Sequence, residues 1–311
     1  MGANQQGVAI LGIYVADLAF RAANMPGVGQ TIAGSGFAMG PGGKGSNQAV
    51  AAARAGAQVT FISTIGNDAF GAHALALWQA DGITARVTQV ASHPTGAAFI
   101  YINEDNGDNA IIVVPGAASL IGVADVEAAA DAIGAARVFV TQLEQPADAA
   151  LRALQIARAA GTITVFNPAP ALTFDAAIYP LCDFITPNEH EAALLTGLPV
   201  TNLDEARAAA DVLLGRGVKC ALITLGAQGA LLHSVHESLL IAPFCAGPVL
   251  ETTGAGDAFN GGFAAALAEG KTPAEAARFA AAVAAISVTR AGTAPSMPAR
   301  SEVDSLMAGP R

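Results

Sequence analysis

The segment Glu251-Thr252-Thr253-Gly254-Ala255-Gly256-Asp257-Ala258-Phe259-Asn260-Gly261 carries a glycine-rich turn into an Ala-rich helical pattern. Backbone amides of Gly254, Ala255 and Gly256 at a helix start form an anion nest suited to the oxygens of a transferring phosphoryl group. Asp257, in the first helical turn, is placed to take a proton from an attacking hydroxyl while the amides stabilise charge on the phosphoryl group. Read alone, the same aspartate is more often an acid that merely complements the helix dipole. A second cluster, Gly40-Pro41-Gly42-Gly43-Lys44-Gly45-Ser46-Asn47-Gln48, also precedes a helical pattern. Gly40, Gly42 and Gly45 satisfy GxGxxG, the dinucleotide fingerprint. That reading fares poorly, because Thr31 to Met39 is Gly-rich where a buried strand belongs and no acidic residue ends a strand about twenty positions on. A P-loop fails too, since Gly45, not Ser or Thr, follows Lys44. What remains is flexible backbone able to approach a polar ligand, with Lys44 and Asn47 as donors at a helix start, or a turn that uses glycine for its own geometry.

Two further clusters end strands. Thr186-Pro187-Asn188-Glu189-His190-Glu191 opens a helix, where its carboxylates and amides either hold a hydrated metal ion near phosphates or cap the helix. Thr224-Leu225-Gly226-Ala227-Gln228-Gly229 passes backbone close to a nucleotide or makes a turn. Asp17 and Glu144 each follow an apolar strand, at the carboxyl ends where open α/β sheets place ligands. The histidines lack metal-ligand spacing and read as structural or surface residues.

The elements that must position these residues alternate. Runs of strand length (Val8 to Ile13, Val59 to Ile65, Val138 to Gln142, Ile163 to Phe166) are separated by Ala-rich helical patterns (Asn47 to Ala55, Ala69 to Ala80, Ala147 to Ala160). The alternation predicts βαβ units, a mainly parallel sheet and covering helices. Gly56, Gly82, Gly161 and Gly217 follow helical patterns as C-terminal stops, and Thr272-Pro273-Ala274-Glu275 is a capping box. Ala97 to Glu104 and Asn109 to Val114 read as a hairpin turning at Asn106-Gly107, both at positive φ. With the strand-like Pro26 to Met39 they suggest antiparallel excursions forming a small lid sheet. The predicted division is a core of 1–13, 46–95 and 117–311 and a discontinuous lid of 14–45 and 96–116.

Composition bounds the function. The chain has 311 residues, 53% hydrophobic and 13% charged, with formal net charge −10. Such a chain folds, and it offers no overall positive potential for a nucleic acid backbone. The lysines are Lys44, Lys219 and Lys271, so one inside a glycine-rich loop stands out. Cys182, Cys220 and Cys245 have neither disulfide nor zinc spacing, which fits a reducing cytoplasm. Met1–Gln6 lacks a basic signal region and the Ser or Thr of a myristoylation site, and the longest apolar stretch, Phe279 to Val288, is too short to span a bilayer.

In combination and order, these clusters resemble the ribokinase family, the PfkB-type carbohydrate and nucleoside kinases, along nearly the whole chain. Carrying the resemblance are Gly42 to Ala49, Thr141-Gln142-Leu143-Glu144, Asn167-Pro168-Ala169-Pro170, Thr186 to Glu191, Thr224-Leu225-Gly226, Thr252 to Gly261, Val288-Thr289-Arg290-Ala291-Gly292 and Pro295-Ser296. It implies a ribokinase-like three-layer α/β/α sandwich with a mainly parallel central sheet and a small β lid that often serves as a homodimer interface. The implied reaction transfers the γ-phosphoryl group of ATP to a primary sugar hydroxyl, D-ribose to ribose 5-phosphate being the leading assignment. Another sugar or a nucleoside (deoxyribose, a ketohexose, an adenosine-like molecule) and a non-catalytic sugar-binding relative are the alternatives, with a nicotinamide dehydrogenase third. By resemblance, Asp257 is the catalytic base and Gly254 to Gly256 the anion hole. Asp17, Gly42, Gly43, Lys44, Asn47 and Glu144 match sugar-holding positions. Asn188, Thr224, Gly226, Gly229 and Gly256 match nucleotide positions, and Glu191 matches an element linked to Mg²⁺ through water. Glu251, Thr253, Ser287, Arg290, Gly292 and Ser296 correspond to a K⁺ loop, partly through backbone carbonyls. Three positions depart from the pattern. Val15 stands where ribokinases usually carry Asn, which favours a substrate lacking the matching hydroxyl. Glu251 replaces the common Asp, an extra methylene that shifts a cation ligand. Ala281 replaces a polar or aromatic adenine neighbour.

Overall fold

The computed structural model describes residues 5–309; Met1–Asn4 and residues 310–311, with the reading of the first residues as free of a signal, lie outside them. Along the chain run β1 (Val8–Leu11), β2 (Val15–Ala22), β3 (Gly36–Gly42), α1 (Lys44–Arg54), β4 (Val59–Gly66), α2 (Ala69–Ala80), β5 (Thr84–Val90), β6 (Thr95–Asn103) and β7 (Asn109–Gly116). There follow α3 (Val123–Ala128), α4 (Ala130–Ala135), β8 (Val138–Thr141), α5 (Ala147–Ala160), β9 (Ile163–Phe166), β10 (Phe184–Ile185), α6 (Glu189–Thr196) and α7 (Leu203–Gly215). The C-terminal third holds β11 (Cys220–Thr224), β12 (Ala230–Ser234), β13 (Ser238–Ile241), α8 (Ala255–Ala268), α9 (Pro273–Ser287) and α10 (Arg300–Ala308).

Nine strands form one sheet in the order β13-β12-β11-β10-β9-β8-β1-β4-β5. From β11 to β5 all pairings are parallel, and β12 and β13 add an antiparallel edge. The central strands are apolar on both faces because each face is covered by helices. Alternate residues feed two cores: Val8, Ile10, Val138 and Val140 join α1, α2, α8 and α9 on one side. Ala9, Leu11 and Phe139 join α3 to α7 on the other. Among the described residues no helix is long and apolar enough to cross a membrane.

The second sheet has the order β3-β2-β6-β7. Its outer pairings are antiparallel, but β2 and β6, which join the two excursions, run parallel over Val15–Ala22 and Gly96–Asn103. The sheet is therefore mixed, because both segments leave the core from neighbouring points and travel the same way. The β6–β7 turn also differs from the expected pair of positive φ angles. Gly107 alone adopts one (φ 78°), and Asn103 organises the loop by accepting hydrogen bonds from the Asp105 and Asn106 amides. On the core side, Asp68 caps α2 and ties down β6 through the Thr95 amide (2.7 Å) and hydroxyl (2.8 Å). The stops expected at Gly56, Gly82, Gly161 and Gly217 all have positive φ, and the Thr272–Glu275 capping box opens α9 with Pro273 at its first position.

Candidate active site

The carboxyl ends of β8, β9, β10 and β11 converge with the N-termini of α1, α6 and α8. Lys44, Asn167, Ala169, Thr186, Asn188, Glu191, Thr224, Gly254, Gly256, Asp257 and Asn260 line one cavity of about 150 Å³ there. A larger cavity, about 670 Å³, opens at the opposite, amino-terminal edge of the sheet. Of its cationic side chains, Arg158 and Lys219 are both engaged by Asp183, at 2.7 and 2.6 Å, and Lys271 lies 3.4 Å from Glu269.

Gly254 is the N-cap of α8, and its φ of 81° is one only glycine adopts without strain. The Ala255 amide, expected in the anion hole, instead donates to the Thr252 carbonyl at 3.1 Å, closing the turn ahead of the helix. The Gly254 and Gly256 amides have no acceptor among the described residues and remain for an anion. Asp257 follows, 6% exposed. Its Oδ2 accepts from Asn47 Nδ2 (3.0 Å) and its Oδ1 from Gln48 Nε2 (3.1 Å). Burial raises the Asp257 carboxyl, while Lys44, Asn47 and Gln48 favour its charged form.

Helix α1 starts at Lys44, inside the segment assigned from sequence to the lid, because Gly43 at φ 89° turns the chain against the Ile13 carbonyl. This places the Lys44 amide 2.7 Å from Glu144 Oε2. Burial opposes charge on the Lys44 ammonium, but Asp257, Glu144 and Glu191 outweigh it and hold its pKa above the usual value. Burial lifts Glu144 to about 7 against the pull of Lys44. Asp17 lies within β2, not at the end of a core strand, paired across to Gly40 and Ala98. Its carboxylate rests on the Gly42 α-carbon, where a Cβ would meet Oδ1 at 2.2 Å. Burial, with Asp257 adding, lifts it to about 6. Val15, two residues before Asp17, shares its face of β2, is 4% exposed and abuts Gly96. Contacts thus link Asp17 to Gly42, Lys44 to Glu144 and Asn47 to Asp257, and the Asp257 charge acts on both Asp17 and Glu144; of these six residues, Lys44 and Asp257 line the cavity of about 150 Å³.

On the other side of Lys44, Asn188 and Glu191 cap α6 reciprocally: Asn188 Oδ1 accepts from the Glu191 amide (2.8 Å), and Glu191 Oε2 from the Asn188 amide (2.9 Å). Capping leaves Glu191 Oε1 at the cavity. Among the described residues no group of three or more His, Cys, Asp or Glu could hold a metal by itself. Glu191 is the carboxylate at the phosphate side of this cavity that would face a hydrated Mg²⁺, an ion that takes oxygen ligands and keeps several waters. Thr224 lines the cavity, but Gly226 and Gly229 do not; they shape the β11–β12 turn, where a Cβ at Gly229 would strike the Ile241 carbonyl at 2.0 Å. Ala281 is buried in the apolar cluster of α8 and α9.

The residues matched to a K⁺ site fall on two facing loops. Glu251 Oε2 accepts from the Gly292 amide (2.9 Å), so the longer side chain ties the loops together. The Ser287 and Ser296 hydroxyls donate to the Ala284 and Thr293 carbonyls, which leaves their lone pairs available to a cation. Thr253 is exposed just ahead of α8. The Arg290 guanidinium turns away to pair with Glu302 on α10, so its contribution could only be its carbonyl.

Sequence reasoning left out Gln48, Gln142, Asn167, Thr186 and Asn260 as site residues. Thr186 Oγ1 donates to Asn260 Oδ1 (2.6 Å), and Asn260 Nδ2 to the Gly256 carbonyl (2.8 Å). A signal was present: Gln142, Asn167 and Thr186 are each the first polar side chain after a buried strand or its last residue, at the sheet edge that holds ligands.

The pattern of the pfkB family of carbohydrate kinases matches residues 5–300. The chain is 42% identical over 275 residues to the ribokinase of Haemophilus influenzae, covering 88% of this chain and 89% of that one. It is 35% identical over 293 residues to the deoxyribokinase of Salmonella typhi, covering 94% and 95%. The structure of Arabidopsis thaliana ribokinase complexed with ribose and ATP superposes with a TM-score of 0.91 at 30% identity, covering 97% of this chain and 99% of that one. The clustered carboxylates, the open amides of α8 and these likenesses agree, and the chain belongs to the pfkB family of carbohydrate kinases.

Proposed function

We propose that this protein transfers the γ-phosphoryl group of ATP to the primary hydroxyl of a pentose furanose, D-ribose giving ribose 5-phosphate. The observation that carries the reading is Asp257, a buried carboxylate held by two amide donors beside the Gly254 and Gly256 amides, which have no acceptor among the described residues. Asp257 accepts the hydroxyl proton, and the amides hold the transferring group. Asp17, Asn47 and Glu144 hold the sugar, and Lys44, at the junction of the sugar and phosphate spaces, neutralises charge passing between them. Asn188 and Thr224 face the nucleotide phosphates, and Mg²⁺, when bound, screens those phosphates. K⁺ between the loops of Glu251 and Gly292 steadies the start of α8.

The lid, carrying Asp17, closes over the sugar and excludes water. Its other face, bearing Phe20, Phe37, Met39 and Ile112 at 41 to 63% exposure, suits a homodimer contact. Free thiols at Cys182, Cys220 and Cys245 suit the cytoplasm.

Val15 favours a second reading, 2-deoxyribose, because no side-chain hydrogen bond is available beside Asp17 for one of the ribose hydroxyls. ATP-dependent phosphorylation of ribose, 2-deoxyribose, ketohexoses and nucleosides, with and without K⁺, decides. The pentose reading predicts kcat/KM highest for a pentose; a nucleoside or hexose ahead of both pentoses overturns it.

A further inference from the structure

Asp257 receives its second hydrogen bond from the end of a chain of side-chain amides whose direction is set elsewhere. Asn167 Nδ2 donates to the Thr186 backbone carbonyl (2.9 Å), a group that can only accept, so Asn167 Oδ1 must accept. It does so from Gln48 Nε2 at 3.2 Å, and the same nitrogen donates to Asp257 Oδ1 at 3.1 Å. Gln48 Oε1 in turn accepts from Gln142 Nε2 at 2.6 Å. Rotating the Gln48 amide by half a turn would set oxygen against the Asp257 carboxylate and Asn167 Oδ1, and nitrogen against the Gln142 nitrogen. Gln142 holds its orientation although its own Oε1, buried against the α-carbons of Gly12 and Gly45, has no hydrogen-bond partner. An unpartnered buried oxygen is unfavourable, so presenting an N–H to Gln48 is the arrangement the site keeps.

We propose that Gln142 and Gln48 are positioning residues for phosphoryl transfer: Gln142, together with Asn167, fixes the polarity of Gln48, and Gln48 holds the Asp257 carboxylate as an oriented hydrogen-bond acceptor. The inference rests on Asp257 being the catalytic base. Gln142 does not touch Asp257, so any influence it has on the base travels through Gln48.

The experiment compares kcat, sugar KM and the pH profile of kcat for wild type, Gln48→Met, Gln142→Met and the double variant, all neutral and close in volume, with folding checked by thermal denaturation. Lys44, Asp17, Glu144 and Glu191 also face Asp257 from α1, β2, the loop after β8 and α6, and all four are retained in every variant, so the readout is the displacement of the profile between variants and not its shape. Removing the N–H donor disfavours the ionised base, so the acidic limb of kcat moves to higher pH. Gln48→Met is expected to lower kcat about 100-fold and Gln142→Met about tenfold, each with little change in sugar KM. The double variant should be no worse than Gln48→Met alone, since the two act in series. Additive losses, or an unchanged kcat and pH profile in Gln142→Met, overturn the proposal. If Gln48→Met does not fold, Gln48→Asn, whose amide is too short to reach from Gln142 to Asp257, replaces it with the same expectation. Asp257→Asn separates the two levels: retained turnover overturns the base assignment itself, whereas lost turnover with additive Gln variants overturns only the series arrangement.

Discussion

Gly42→Ala tests the sugar site with one methyl group. Gly42 lacks a positive φ, so alanine fits its extended backbone, and the change acts through space. The new Cβ would lie 2.2 Å from Asp17 Oδ1 and 2.5 Å from its Cγ and Oδ2. Non-bonded carbon and oxygen need roughly 3.3 Å, so the Asp17 carboxylate must retreat by about 1 Å or change rotamer. A hydrogen bond to a charged group contributes about 1.5–3 kcal/mol. Losing it raises the sugar KM by about 10- to 150-fold, because each 1.4 kcal/mol is a factor of ten. The KM for ATP should stay within about twofold, since the phosphate space lies beyond Lys44. Gly40→Ala is the control: it pairs with Asp17 on the neighbouring strand, yet a Cβ there meets nothing within 4 Å. Steady-state kinetics that couple ADP release to NADH oxidation measure the sugar KM and the ATP KM of wild type and both variants. A sugar KM for Gly42→Ala within twofold of wild type, with the protein folded, refutes the placement of Asp17 at the sugar.

Other substitutions read separate parts of the argument. Val15→Asn should raise the ribose to 2-deoxyribose ratio of kcat/KM by about tenfold, in competition assays with both sugars; an unchanged ratio removes Val15 from the specificity determinants. Asp17 and Glu144 have carboxyls raised by burial to about 6 and about 7, so the folded state holds their protons more tightly than the unfolded chain. Their contribution to stability is therefore greatest below the unfolded values and lost as pH rises through the folded ones. Asp17→Asn and Glu144→Gln should each raise Tm at pH 8, by an amount equivalent to about 1 kcal/mol after solvent screening, and have little effect at pH 4; a lower Tm at pH 8 contradicts the burial argument. Thr272→Ala removes the hydroxyl that caps α9 and should cost about 1 kcal/mol in urea unfolding with kcat unchanged; no loss of stability means the cap is dispensable.

The repeating core was readable because its rules are local. Ala69–Ala80 and Ala147–Ala160 are helices with the expected bounds, and Gly82 and Gly161 end them in the conformation glycine allows. The clusters at Lys44 and Asp257 were visible because glycine, lysine and aspartate are informative types in so apolar a chain. What escaped depends on partners distant in sequence. Asp17 looks like the end of a core strand until β6, some 80 positions on, pairs with it. The Ala255 amide counts as a free donor until the turn closes on Thr252. Glutamine has no periodicity to betray a role, and the direction of the Gln48 amide is set through Asn167 by the Thr186 carbonyl, 138 positions away. Pairing and polarity of this kind belong to the assembled fold.

The placing of Lys44 among Asp17, Glu144, Glu191 and Asp257 also bears on how a catalytic cycle ends. On the proposed assignment, a neutral sugar enters this basin without electrostatic penalty, and the carboxylates serve as acceptors for its hydroxyls. Transfer then leaves a dianionic phosphate ester in the same space. Burial raises the carboxyls of Asp17 and Glu144 towards neutrality, which would soften the repulsion of a bound ester. On the proposed closure of the lid, reopening would readmit water, let both acids ionise more fully and set the basin against the ester. The carboxylates proposed to recognise the substrate would thus also repel the product, and a neutralising Asp17→Asn exchange would slow release as well as weaken entry.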